Sequence, residues 1–149
     1  MTFNIETHLY QLLTQAHLKE RTHLSGGIYL GNDRPDDSSL EDIILQCPQC
    51  LYKQKKATPP APAQPFLTGE AQIIIYVPDK RVRMGRLGEQ YISPRLRLRN
   101  LCEAIAVILR SSHLEGVTFT LSRQTLTPLP QIRQHAATLY LNFLTQGKE

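Results

Sequence analysis

Apolar residues recur at helical spacing in two segments of the chain, a pattern typical of amphipathic helices that pack on a core. In residues 4–18 they are Ile5, Leu9, Leu12, Leu13 and Ala16. In the second segment they are Leu98, Leu101, Cys102, Ile105 and Leu109. Ser93 as N-cap and Pro94 as first helical residue predict where the second helix begins.

Five further apolar runs predict strands, at residues 28–30, 40–46, 71–77, 117–126 and 135–144. The run at 71–77 is β-branched and nearly continuous, which favours a central strand. Residues 57–65 hold four prolines and predict an extended loop, at the surface or a sheet edge. A further proline pair should end the fourth strand at residues 127–130.

The predicted order of elements is α-β-β-β-α-β-β. Because strand pairs with short connections favour antiparallel pairing, we expect the α+β fold class. The expected architecture is an antiparallel sheet of four to five strands with two helices packed on one face. A length of 149 residues fits a single domain, 1–149, with the proline-rich loop at 57–65 and a basic arm at 79–93.

The charge of the chain is concentrated in one segment. The net charge of +4 divides into +5 for residues 79–99 and −1 for all other residues. The basic residues of this segment are Lys80, Arg81, Arg83, Arg86, Arg95, Arg97 and Arg99, opposed by Asp79 and Glu89. Composition does not choose among nucleic acid, an acidic protein partner and solvent as the surroundings of this segment.

Two predictions concern the geometry of the basic segment. Residues 80–86 alternate like a strand of a projecting hairpin with Gly85 and Gly88 at its tip. Arg95, Arg97 and Arg99 fall in the first two helical turns, where the positive end of the macrodipole disfavours cations. Glu103 can pair with Arg99, but local stability does not explain three arginines at this end. A solvated helix start and a contact surface for carboxylate or phosphate therefore both stay open.

Candidate chemistry elsewhere is sparse. Cys47 and Cys50 have zinc or redox spacing, but no second such pair and no paired histidines accompany them. We interpret them as incidental residues at a strand end. We interpret the carboxylates at 36–37 and 41–42 as solvated loop residues rather than as a cation site. No hydrolase, metalloprotease or phosphate-loop motif occurs, so we expect no enzyme, no metal and no cofactor.

Two other classes of protein are disfavoured. No apolar run reaches the length of a membrane span, and residues 1–6 show no secretory signal. The three cysteines are an odd number, which argues against a disulfide-stapled scaffold.

The order of elements and several short segments resemble a known family. The segments are a Gly-Gly-Ile-Tyr-Leu-Gly stretch at 26–31, a Gln-Ile-Ile-Ile-Tyr-Val strand at 72–77, the helix containing Leu98–Leu109, and a last strand at 135–143. Across residues 4–144 this is similar to the tail-terminator and tail-completion family of long-tailed bacteriophages and their prophages. The segment 47–65 and the basic arm are larger than the minimal family pattern needs.

The resemblance implies a small α+β subunit of a homo-oligomeric ring, typically of six copies, without a catalytic site. Such a ring caps the tail tube, stops its polymerisation and offers the joining surface for the head. Expected partners are the tail tube protein, the head-completion protein and DNA passing without sequence specificity, with no membrane. The expected location is the bacterial cytoplasm during assembly and then the virion tail.

Under this hypothesis the seven basic residues of 79–99 contact the adjacent subunit or an acidic rim of the tube. Within the same hypothesis, the chain is a tail terminator, a head–tail joining subunit or a minor structural protein. The alternative from another class is a small nucleic-acid-binding module that uses the same residues on phosphates. No helix-turn-helix or zinc-finger pattern supports recognition of a DNA sequence.

Overall fold

A computed structural model describes residues 5–31, 33–55, 64–83, 85–111 and 116–145. Within these residues the helices are α1 (Ile5–Gln15), α2 (Leu18–Thr22) and α3 (Arg95–Ser111). The strands are β1 (Ile28–Leu30), β2 (Asp42–Lys55), β3 (Gln64–Pro78), β4 (Lys80–Arg83), β5 (Glu89–Ile92), β6 (Val117–Leu129) and β7 (Gln134–Thr145).

The main sheet has five strands in the order β1-β2-β3-β7-β6. Its pairs are antiparallel except for β1 and β2, which run parallel with Ile28 opposite Ile43. Strand β3 is central, as its β-branched run predicts, and Ile73 lies between Leu45 of β2 and Leu139 of β7. The α+β class is therefore confirmed, with a mostly antiparallel sheet.

The core lies between the helices and one face of this sheet. Alternate residues of the strands supply its sheet side: Ile43, Leu45, Ala71, Ile73, Ile75, Val77, Ala137, Leu139, Leu141 and Phe143. The helices supply Ile5, Leu9, Leu12, Leu13, Leu18, Leu98, Leu101, Cys102, Ile105 and Ile108. Both predicted helical stripes face this core, although Ile108 rather than Leu109 is the last fully buried residue of α3.

The strands extend further than their apolar runs. Strand β2 continues through a bulge between Gln46 and Gln49 to Lys55, which pairs with Gln64 of β3. Gln64 and Pro65 thus belong to a strand, because backbone pairing continues where no apolar side chain signals it. Residues 57–63 of the predicted proline-rich loop lie outside the described residues.

The predicted break at residues 127–130 is also wrong. Strand β6 runs to Leu129, with Thr127 opposite Ala136 and Pro128 opposite His135. Since β6 is the outermost strand of the sheet, a proline without an N–H removes no ladder bond to a further strand.

The helix boundaries differ from prediction by a few residues. Helix α1 ends at Gln15, three residues before the predicted end at residue 18, and His17 in the left-handed conformation separates it from α2. Except for Leu18, α2 lies beyond the predicted helix. Helix α3 begins at Arg95, and the carbonyl of Pro94 accepts the first helical bond from Leu98 N at 2.9 Å. Ser93 lies one residue too early to cap, and its hydroxyl has no hydrogen-bond partner among the described residues.

In the part of the chain that the structure describes, no helix has the length and apolar character needed to cross a membrane.

Candidate functional site

The predicted hairpin is present as a separate two-stranded sheet. Strand β4 pairs antiparallel with β5, with Arg83 opposite Glu89. A short 3₁₀ turn, Gly85–Leu87, forms the tip, and Gly85 and Gly88 take the positive φ values of 59° and 78° that glycine adopts without strain. We call residues 80–92 the basic hairpin.

Four basic side chains of the basic hairpin lie at the surface: Lys80, Arg81, Arg83 and Arg86 are exposed. Arg95, in the first turn of α3, is exposed as well. Arg99 is exposed and its Nε donates to Glu103 Oε1 at 3.2 Å, the pairing that the sequence predicts. Since exposed pairs of this spacing contribute about 0.3–0.5 kcal/mol, Arg99 stabilises the helix only slightly.

Arg97 differs from Arg99, which pairs with Glu103 on its own helix, because the Arg97 guanidinium binds residues that are distant in sequence. Its Nε donates to Glu41 Oε2 at 2.7 Å, and its Nη2 donates to Glu41 Oε1 at 2.8 Å. The same Nη2 donates to the carbonyl of Thr22 at 2.6 Å, at the end of α2. Tertiary contacts therefore explain this arginine, because they join α2, α3 and the segment before β2.

The carboxylate of Glu41 is held from two sides. Besides the two bonds from Arg97, it accepts a bond from Ser25 N at 3.3 Å, while Ser25 Oγ accepts from Glu41 N. The hydrogen bonds from Arg97 lower the pKa of Glu41, and those to Glu41 raise the pKa of Arg97. The interpretation of Glu41 as a solvated loop residue is wrong, because Arg97 and Ser25 bind its carboxylate. Both partners are distant in sequence, so no local pattern indicates them.

Asp42 is the second carboxylate for which the interpretation as a solvated loop residue is wrong, since it is fully buried at the start of β2. Its Oδ2 accepts from Arg34 Nε at 2.9 Å and from the hydroxyl of Ser38, and its Oδ1 accepts from Gly27 N at 3.0 Å. Gln134 accepts from Arg34 Nη2 at 3.0 Å and donates to the carbonyl of Ser38 at 2.8 Å. These bonds fix the segment between β1 and β2 onto the sheet.

Arg34 also covers the sheet face that the helices leave open. Its guanidinium carbon lies 4.1 Å from the centroid of the Tyr76 ring. Beside it is an open pocket of about 270 Å³, lined by Arg34, Pro35, Asp36, Ile44 and Tyr76. The guanidinium of Arg34 already binds Asp42 and Gln134, so we do not assign it to the binding of an anion in this pocket.

Close packing explains one glycine of this region. A Cβ at Gly26 would lie 1.9 Å from Asp42 Oδ1 and 2.2 Å from the carbonyl oxygen of Glu41. No side chain fits there without moving the backbone before β2. Gly26 is thus part of the structure that positions both carboxylates.

The base of the basic hairpin is fixed to the last strand. Asp79 Oδ1 lies 2.6 Å from His135 Nδ1, and Asp79 N donates to the carbonyl of Arg133 at 2.8 Å. Both side chains are mostly buried. The hairpin therefore leaves the sheet from a defined position between β3 and β7.

The cysteines occupy different surroundings. Cys47 is half-buried in β2, where its backbone N–H donates to Glu6 Oε1 of α1 at 3.0 Å, while the side chain of Cys50 lies outside the described part. Burial raises the pKa of Cys102 to about 11, with a smaller contribution from Glu103. Among the described residues, no three histidine, cysteine or acidic side chains are grouped to hold a metal ion.

Comparison with known proteins gives one kind of match. No family model matches the sequence, and no curated protein matches it. Among solved structures, a chain from a structure described as the virion of a native gene transfer agent particle has the same fold. It matches with a TM-score of 0.54 and 12% sequence identity, over 96% of this chain and 95% of that chain. At this identity the likeness shows a shared fold.

Proposed function

We propose that this chain is a structural subunit of a phage-like virion, with a tail-terminating or head–tail joining role. The observation that carries the proposal is the fold shared with a chain of a gene transfer agent virion, which covers nearly the full length of both chains. The family resemblance of the sequence points in the same direction. We assign no catalytic role to any residue.

In the proposed mechanism, identical copies form a ring at the end of the tail tube. A ring requires one surface of each copy to contact a different surface of the next, and it closes when the rotation per subunit closes. The basic hairpin suits such a contact because, among the described strands, β4 and β5 pair with each other and not with the main sheet, and because the hairpin carries exposed charge. Lys80, Arg81, Arg83, Arg86, Arg95 and Arg99 remain candidate contact residues. Arg97 is the seventh, although its guanidinium is already bound to Glu41.

The proposed partners are a tail tube protein, a head-completion protein and further copies of this chain. DNA would pass through the ring without sequence-specific contacts. The subunit would assemble in the bacterial cytoplasm and end in the virion tail.

The direct test is the assembly state of the full chain across a wide concentration range. Sedimentation velocity and electron microscopy should show a closed ring, with six protomers of 17.0 kDa as the expected mass. A chain that stays monomeric at every concentration, or that forms open filaments, would contradict the proposal.

The exposed lysine and arginines of the hairpin also favour a second candidate, a module that binds nucleic acid through phosphates. Binding of a mixed-sequence DNA duplex, measured by fluorescence anisotropy, would then weaken steeply as salt rises. Tight salt-dependent binding by a chain that forms no rings would favour this candidate. Weak or absent binding at low salt would exclude it.

A further inference from the structure

The segment between β1 and β2 presents an acidic surface to solvent. We call residues 33–40 the acidic loop, in which Asp33, Asp36 and Asp37 are exposed. The charge of Arg34 in this loop is balanced by the buried Asp42. Leu40 lies at the end of the loop and is 48% exposed. The loop thus combines three acidic side chains with one apolar side chain.

The basic hairpin and the first turn of α3 present the opposite combination. Lys80, Arg83 and Arg86 are exposed on the hairpin. Ile92 at its base is 47% exposed, and Leu96 in α3 is 71% exposed. Protein interfaces combine an apolar centre with a polar rim, so Ile92 and Leu96 suit the centre of a contact and the neighbouring cations suit its rim.

Six charged side chains of these two surfaces take no part in the ion pairs that join described residues: Asp33, Asp36, Asp37, Lys80, Arg83 and Arg86. Among the described residues, the ion pairs join Arg34 to Asp42, Arg97 to Glu41, Arg99 to Glu103 and His135 to Asp79. None of those pairs uses an aspartate of the acidic loop, or Lys80, Arg83 or Arg86. These six side chains are therefore available for a contact outside the subunit.

The two surfaces lie at the same end of the main sheet. The acidic loop leads into Asp42, which pairs with Tyr76 near the end of β3. The basic hairpin begins just after β3 ends at Pro78. In a ring, all copies have the same orientation relative to the axis, so contacting surfaces must lie at the same height. Two surfaces at one end of the sheet meet this requirement in a ring whose axis runs along the strands.

We propose that the occupant of the acidic loop is the basic hairpin of a second copy of this chain. Three aspartates of one copy then face Lys80, Arg83 and Arg86 of the next. Leu40 packs against Ile92 and Leu96 in the same contact. This inference rests on the proposed ring and names the surfaces that join its subunits.

The test exchanges the charges of the two surfaces. One variant carries Asp33→Lys, Asp36→Lys and Asp37→Lys, and the other carries Lys80→Glu, Arg83→Glu and Arg86→Glu. Each variant alone brings like charges together, so its self-association, measured by sedimentation, should weaken about 100-fold or more. The six-fold variant that combines both exchanges should associate again, as should an equimolar mixture of the two triple variants.

The matched control exchanges charges at another exposed site, Lys19→Glu with Glu20→Lys on α2, and should leave association unchanged. Circular dichroism and urea unfolding verify that each variant is folded. Loss of association in both triple variants without recovery in the six-fold variant would overturn the pairing. Rings that form regardless of either exchange would overturn it too, while leaving the proposed function intact. A wild-type chain that never associates would overturn both.

Discussion

Arg97 and Arg83 belong to the same basic segment, but they lie in opposite surroundings. Arg97 is held by Glu41 and by the carbonyl of Thr22, whereas Arg83 is exposed on a hairpin that is separate from the main sheet. Arg34 and Arg97 bind Asp42 and Glu41 where β2 begins, and we call these four residues the junction before β2. The cations of the hairpin face solvent instead. One charged segment can thus contain residues that stabilise the fold and residues that are exposed for contacts with other molecules. Three variants test this division.

The largest effect is expected from Asp42→Ala. Removal of the buried carboxylate leaves the guanidinium of Arg34 without its charge partner and Gly27 N without an acceptor. We expect a loss of about 3–5 kcal/mol in the free energy of unfolding, measured by urea denaturation. Asp37→Ala, in the exposed part of the same loop, is the matched control and should change stability by less than about 0.5 kcal/mol. Equal effects of the two substitutions would contradict the division.

A smaller effect is expected from Glu41→Gln, because the Arg97 side chain is one third exposed. We expect a loss of about 1–2 kcal/mol at neutral pH, from weakened charge-assisted hydrogen bonds. Glu103→Gln, which removes the carboxylate of the exposed pair with Arg99, is the control and should cost about 0.5 kcal/mol or less.

The pH dependence of Glu41→Gln provides a second readout. The folded-state pKa of Glu41 lies below its ordinary value of 4.5, so its contribution is complete above that value. The contribution is lost as the pH falls through the lower, folded-state pKa. The stability difference between wild type and variant should therefore close in acid, and a difference that persists at low pH would refute the assignment.

The smallest effect on stability is expected from Lys80→Gln, Arg83→Gln and Arg86→Gln combined. These side chains are exposed and take no part in the ion pairs of the described residues. The free energy of unfolding should change by less than about 0.5 kcal/mol. A large loss in urea denaturation would show that the hairpin charges stabilise the fold.

Local patterns predict the parts of this molecule that depend on neighbours in sequence. The apolar stripe of α3, the alternation of β7, the hairpin and the pair between Arg99 and Glu103 all involve residues a few positions apart. The contacts that hold the junction join residues far apart, such as Arg97 with Glu41 and Arg34 with Gln134. A single sequence carries no local signal of such pairs.

The parallel pairing of β1 with β2 escapes prediction for a related reason. A short polar connection favours an antiparallel hairpin, but here the segment crosses the open sheet face and is fixed there by Arg34 and Ser38. The candidate contact residues could be located by counting charges. Only the structure shows that Arg97 belongs to the junction before β2, whereas the cations of the hairpin lie at the surface.

The position of β7 has a consequence for how the chain acquires its fold. This strand comes after β6 in sequence, but it lies between β3 and β6 and buries Leu139, Leu141 and Phe143. Until β7 has been synthesised, the central strand has one unpaired edge, and the sheet side of the core lacks Ala137, Leu139, Leu141 and Phe143. Because contacts between distant segments form slowly, this step should limit folding. During synthesis, the subunit should become competent for assembly only after this late strand is in place.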